Sequence, residues 1–245
     1  MPQFLIDSKN IVNNRITIND KDNFNHIAKS LRIKSGEKLL LIDENQIQYE
    51  TVVEEVTNKE ITVHVENSYK SFRRLDFGLY LAQSPLRSEA QTIVIEKATE
   101  LGADGVYPVF TDNCAINRNV IEKKIPKWQR IMFESFKQCE RAYIPKCFEV
   151  TDLETIINMK DFKIIAFCER LTTTTLHKYC KENPIEKGDK ILVIIGPEGG
   201  FSKREFDLFK EHNIPMLTLG NLILRAETAV ITALGNIIYE YYGKN

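Results

Sequence analysis

The chain holds little that could bind a metal or staple a small scaffold. Its five cysteines, at positions 114, 139, 147, 168 and 180, are odd in number and form no CxxC pair, and its four histidines are scattered with no HExxH among them. Those spacings exclude the common zinc sites and a disulfide framework, so no metal is expected. No apolar run approaches the roughly 20 residues that cross a bilayer. Met1-Pro2-Gln3-Phe4 does not open a signal peptide, and the cytoplasm is the expected location. Charge of one sign is not in excess either: a net −1 over 245 residues gives no global pull toward nucleic acid. Repeats and low-complexity tracts are missing, the threonine run at 172–175 being the one homopolymer, placed at a loop or a helix start.

What is present is an ordinary globular composition, 43% hydrophobic and 27% charged, enough for a proper core in one or two domains. Short strand-like runs occupy residues 15–18, 38–42, 48–53 and 61–65, with one helical piece around 24–31 and turns at Ser35-Gly36 and Thr57-Asn58. They predict a small β-rich barrel over about the first 70 residues. After a basic link, Ser71-Phe72-Arg73-Arg74, strands and helices alternate. Residues 77–82, 106–110, 163–168 and 190–195 read as strands. Ala90, Ile93, Val94, Ala98 and Leu101 form a helix face that stops at Gly102. Pro126 is expected to open a helix whose Trp128, Ile131, Met132, Phe136 and Cys139 share one side. Such alternation predicts a mostly parallel sheet covered on both faces.

Two segments near the C-terminal end say more than the rest, residues 194–202 (IIGPEGGFS) and 219–229 (LGNLILRAETA). Each marks a buried strand giving way to a helix, where an α/β protein brings backbone amides to a ligand. In the first, Ser202 and Glu205 spell a capping box that opens a helix at Lys203. Gly199 and Gly200 could serve only to turn the chain, but Glu198 stands in that turn with no packing role. The Lys-Ser/Thr pair of a Walker loop and the spaced glycines of GxGxxG are both missing. In the second, Gly220 breaks a short strand at 216–219, and Ile223-Leu224 places two apolar residues where a polar turn is expected. Arg225 and Glu227 could form a weak local ion pair. An arginine at a helix N-terminus nevertheless opposes the helix dipole, which argues for another use.

Cations are concentrated in the first region at Arg15, His26, Lys29, Arg32 and Lys34, then at Lys70, Arg73 and Arg74 beside Tyr69 and Phe72. By charge alone they read equally as a solvated face or as an RNA surface.

These residues resemble the RsmE-type 16S rRNA uracil-N3 methyltransferases of the SPOUT superfamily, over nearly the whole chain. The family's two loops read IGPEGGfs and LGxRiLRxETa. Further matches are Glu96-Lys97-Ala98-Thr99-Glu100-Leu101-Gly102, Gln138-Cys139 with Arg141 and Pro145, and His26-Ile27 with Leu31-Arg32. The chain departs from the pattern at Leu222, where the family has Arg, at Ala226, where it has Thr, and in the usually basic segment before Glu96, here residues 86–92. The resemblance implies a PUA-like RNA-binding barrel over residues 1–70 and, over 71–245, a SPOUT-type trefoil-knotted parallel-sheet domain. It also implies S-adenosylmethionine (SAM) as methyl donor, a homodimer formed through the knotted domain, and 16S rRNA of the small ribosomal subunit as partner.

On that reading Gly196, Pro197, Glu198, Gly199, Gly200, Leu219, Gly220, Ile223, Leu224, Arg225 and Thr228 hold the cofactor. Arg15, His26, Lys29, Arg32, Arg73 and Arg74 meet RNA. Arg225 stabilises charge developing on the uracil carbonyls, while Glu198 or Glu227 accepts the N3 proton. Glu100, Gln138 and Arg141 lie near the site or hold the structure together. Two other classes stay open: an RNA-binding or ribosome-assembly factor on a degenerate methyltransferase fold, which Leu222 and Ala226 favour, and a nucleotide-binding α/β enzyme, which the missing Lys-Ser/Thr pair disfavours.

Overall fold

The computed structural model describes residues 3–168 and 172–243, and the chain divides into two compact units, residues 1–74 with 136–143, and residues 75–135 with 144–245. In the first unit, β1 (Gln3–Ile6), β2 (Ile11–Val12), β3 (Arg15–Ile18), β4 (Lys38–Asp43), β5 (Ile47–Val56) and β6 (Ile61–Lys70) form one sheet in the order β1-β4-β5-β6-β3-β2. All pairings are antiparallel except β1 with β4. Register shifts in β5 at Glu50/Thr51 and Val53/Glu55 supply the bends such a sheet needs to wrap its core. That core gathers Phe4, Ile16, Ile18, Leu39, Leu41, Val53, Ile61 and Val63, at alternate strand positions, with Phe24 and Ile27. Phe24 closes α1 (Lys21–Phe24), and Ile27 lies on the π-helical turn Asn25–Ser30 that continues it. The expected helical piece and strands are therefore present.

The second unit opens with β7 (Gly78–Gln83), α2 (Ser88–Glu100), β8 (Gly105–Phe110) and α3 (Arg118–Cys139), then the short strands β9 (Lys146–Cys147) and β10 (Thr151–Asp152). There follow α4 (Leu153–Ile157), β11 (Lys163–Phe167), α5 (Leu176–Glu182), β12 (Lys190–Ile195), α6 (Lys203–Glu211), β13 (Met216–Leu217) and α7 (Ala226–Tyr242). The sheet runs β10-β8-β7-β12-β11-β13, with β9 also on β8, and every pairing in it is parallel. Alternate residues of β12 serve opposite faces, as the period of a strand requires. Ile191, Val193 and Ile195 join α2, α3, α5 and α7 in one core, while Leu192 and Ile194 join α4 and α6 in the other. This is why the run 190–195 is apolar at every position after Lys190.

Two expectations shift. Pro126 lies inside α3 rather than at its start. The extra N-terminal turns bury Ile121 completely; burying one such side chain, worth about 1.5–3 kcal/mol, is of the size of the roughly 3 kcal/mol an internal proline costs. The boundary expected at residue 70 also becomes a split one, because the end of α3 is grouped with the first unit. There Gln3 donates its amide to the Arg141 carbonyl at 2.6 Å, the Ala142 amide donates to the Arg73 carbonyl at 3.0 Å, and Arg73 pairs with Glu140 at 2.8 Å.

Candidate active site

The sheet register carries both glycine-bearing loops to one edge. Phe167, the last residue of β11, is paired with Ile195 on one side and Leu217 on the other, and Ile195 is in turn paired with Gln83. The carboxyl ends of β7, β12, β11 and β13 are therefore side by side, and residues 196–202 and 218–225 leave from there. In an open parallel sheet this is the ligand-binding end, and the break in strand order between β7 and β12 is the switch point at which a crevice forms. A cleft of about 640 Å³ does lie elsewhere, lined by Ile157, Phe162, Lys163, Tyr179 and Ile214. It is at the amino end of β11, and its Lys163 is paired with Asp189 at 2.6 Å, which leaves the carboxyl end as the candidate site.

The first loop is tied from behind. Gly196 and Pro197 are buried and Glu198 and Gly199 exposed. The Ser84 amide donates to the Ile195 carbonyl at 3.1 Å, and the Arg87 amide donates to Glu198 Oε1 at 3.2 Å. Asn113 donates its side-chain amide to the Gly199 and Gly200 carbonyls at 3.3 and 3.1 Å. The capping box forms as the sequence spells it, with Ser202 and Glu205 reciprocally bonded. Glu205 is fully buried, and its second oxygen accepts the Asp112 amide at 2.9 Å. Asp112 and Glu154 also share Arg204. That guanidinium, with help from Ser202 at Asp112, holds both carboxyls below their ordinary range. Because folded values are depressed, this tie contributes stability above the ordinary values of 3.8 and 4.5 and loses it as pH falls through the lowered ones.

The second loop is tied by Thr218, whose amide donates to the Thr174 carbonyl at 2.9 Å and whose hydroxyl accepts the Gly220 amide at 3.1 Å. Gly220 has φ +128°, a conformation that favours glycine, and open space where a Cβ would stand. Leu219 and Leu224 are half-buried, whereas Leu222 and Ile223 are 82% and 54% exposed. Arg225 is the exposed N-cap of α7 and makes no side-chain cap bond. Among the described residues it does not pair with Glu227, so the local ion pair is not formed. Glu227 is half-buried in the first turn and Thr228 exposed beside it. Ala226, one of the departures from the family pattern, is buried against the core, and Leu222, the other, projects outward.

Sequence reasoning missed the supports of this edge. Asn113 holds the Gly199 and Gly200 carbonyls, and Glu205, legible as a capping-box residue, also accepts the Asp112 amide, two ties that no motif announces. Gln83 ends β7 fully buried, and its Oε1 has no hydrogen-bond partner among the described residues, an orphaned acceptor of the kind a ligand satisfies. Together with the open backbone at Gly200 and Gly220 and the exposed Ile223, these features fit a ligand that is read mainly by main-chain groups and held against aliphatic side chains. Glu100 pairs with Lys97 at 2.9 Å, and Arg141 is buried with its guanidinium over the Tyr143 ring at 5.2 Å; both read as structural.

The cations of the first unit differ in what surrounds them. Arg15 pairs with Glu54 at 2.9 Å and Arg73 with Glu140. His26 is half-buried, its ring edge-on to Phe4 at 5.2 Å, which makes it as much a packing residue as a cation. Lys29 and Arg32 are exposed beside the π-helical turn, and Arg74 is exposed after β6.

A parallel sheet with two glycine-bearing loops at one edge, in a chain that also carries a β-rich unit of PUA type, defines an α/β enzyme of the RNA methyltransferase class. The chain belongs to the RNA methyltransferase domain family, whose sequence profile matches residues 73–238, and a profile described as the RNA methyltransferase PUA domain matches residues 18–66. It is 24% identical over 221 residues to the ribosomal RNA small subunit methyltransferase E of Bacillus subtilis, covering 88% of this chain and 86% of that one. To the protein of the same name from Buchnera aphidicola subsp. Schizaphis graminum it is 29% identical over 230 residues, covering 90% and 89%. A methyltransferase from Legionella pneumophila, solved in complex with SAM, superposes with a TM-score of 0.81 at 26% identity over 96% of each chain.

Proposed function

We propose that this chain methylates N3 of a specific uridine in 16S rRNA of the small ribosomal subunit, with SAM as donor. The observation that carries this reading is the pairing of Phe167 with both Ile195 and Leu217, which sets the two glycine-bearing loops next to each other. The likeness to small-subunit methyltransferases over most of the chain supports it. Gly196, Pro197, Gly199 and Gly200 on one loop and Leu219, Gly220, Ile223 and Leu224 on the other hold the cofactor, with Thr228 at the start of α7. When bound, SAM supplies an electrophilic methyl group.

The chain's own task is to present a deprotonated nitrogen in line, so positioning is its main contribution. Uracil N3 is engaged in pairing within a duplex, and the target base must be unpaired or flipped. Arg225 stabilises the charge that develops on the uracil carbonyl oxygens as N3 loses its proton. A carboxylate, Glu198 or Glu227, accepts that proton, a role typically worth about 10²- to 10⁴-fold. Glu→Gln variants at each position separate the two. The large apolar residues Ile93 on α2 and Ile231, Tyr239 and Tyr242 on α7 are exposed, which supports a homodimer through this domain; a monomer by sedimentation at assay concentration overturns it.

The direct test is methylation of small subunits from cells lacking the activity, followed by mass-spectrometric mapping. A single N3-methyluridine in 16S rRNA is the expected product; no SAM-dependent product, or a methyl on another atom, refutes the reading. For the first unit, reversing charge at Lys29 and Arg32 together is expected to weaken RNA association and flatten its salt dependence without changing SAM affinity. An unchanged salt slope shows a solvated face instead.

A further inference from the structure

Phe72 follows the end of β6 and is 74% exposed. Its ring lies nearly parallel to that of Tyr69, with centroids 6.4 Å apart and an interplanar angle of 22°, and the Arg73 guanidinium is 6.0 Å from its centroid. Each partner is itself held. The Tyr69 hydroxyl donates to Glu50 Oε1 at 3.3 Å, and Arg73 pairs with Glu140 at 2.8 Å. The loop is pinned by the Ser71 amide donating to the Gln46 carbonyl at 2.9 Å and the Arg74 amide donating to the Phe72 carbonyl at 2.8 Å. The aromatic face is thus built in advance, at little further cost in side-chain entropy when something stacks on it.

Its surroundings identify the occupant. Arg73 lies against the Phe72 ring, and Arg74, exposed and next in the chain, has no ion pair among the described residues. An exposed aromatic face with one guanidinium against it and an exposed, unpaired arginine next in the chain suits a base attached to a phosphate chain better than an apolar protein surface, which calls for a contiguous apolar patch. We propose that Phe72, backed by Tyr69 and Arg73, is a stacking platform for an unpaired nucleobase of the RNA, and that Arg74 meets a neighbouring phosphate. This rests on the RNA reading above and adds a recognition element to it. Single-stranded RNA displays such bases, whereas duplex RNA hides them.

The test uses the full chain and a short single-stranded oligoribonucleotide of mixed sequence, with its duplex as control. Phe72→Ala is expected to weaken single-strand binding about 5- to 150-fold, the range of one lost stacking contact, with an unchanged salt slope. Phe72→Leu, which keeps apolar bulk but no π face, is expected to behave like Phe72→Ala, and Phe72→Trp to bind about as well as the parent. Arg74→Ala is expected to lower the salt slope by about one. SAM affinity stays at the parental value in all four. If the parent binds single strands and Phe72→Ala or Phe72→Leu binds them equally well, the platform is refuted while the RNA reading stands; a shift in oligomeric state with parental RNA affinity refutes it in favour of a protein contact. If the parent binds neither RNA, the RNA reading itself falls, and the platform with it.

Discussion

Arg225→Lys is expected to lose most methylation activity while keeping SAM affinity close to the parental value. Arg225 caps α7 at the end that repels a cation and makes no cap bond. Neither helix stability nor an ion pair with Glu227 explains its presence. Lysine preserves the charge but not the planar, two-pronged donor that can face a uracil carbonyl edge. Removing a preorganised donor at a developing oxyanion costs about 10²- to 10³-fold in rate, and a contact made only in the transition state lowers turnover without weakening ground-state binding. Single-turnover methylation of small-subunit particles, with calorimetry of SAM binding on the same variant, measures both quantities. Near-parental turnover, or a loss of SAM affinity as large as the loss of rate, reassigns Arg225 to holding the cofactor or the loop.

The second large effect concerns the two glycine loops, which fail for different reasons. At Gly220 the backbone has φ +128° and nothing crowds a Cβ, so Gly220→Val acts through conformation alone: a branched residue avoids that region and the loop moves. At Gly199 a Cβ would stand 3.1 Å from the Cβ of Asn113. Gly199→Val therefore pushes away the residue whose amide holds the Gly199 and Gly200 carbonyls. Both variants are expected to abolish measurable SAM binding. Both should stay folded, because each glycine is exposed and outside the cores. Circular dichroism and a thermal melt check the fold, and calorimetry checks the ligand. Parental SAM affinity in either variant would show that the cofactor does not lie between these loops.

How far each feature could be read from the sequence follows the range of the interaction behind it. Short-range chemistry was legible: the Ser202–Glu205 capping box, the Gly102 stop after α2 and the apolar run of β12 all follow from neighbours within a few residues. Pro126 misled because local propensity says a helix begins there, while burial of Ile121 extends it backward. The pairing partners of Arg15 and Arg73, and the packing of His26 on Phe4, lie tens of residues away or more, or in another element, and no local pattern announces them.

By itself the sequence determined two strand-to-helix loops of unusual composition, a β-rich beginning, an α/β remainder and, by resemblance, a methyltransferase reading. Only the tertiary structure decided that the loops share one edge. Residues 195 and 217 are brought to either side of Phe167 by a crossover that places β12 between β7 and β11, and strand order is set by which faces can be buried together. It likewise decided that Glu205 and Asn113 brace the first loop, because those bonds exist only once β8 and α6 lie in the same fold, and hydrogen bonds between distant residues leave no periodicity in the chain that makes them.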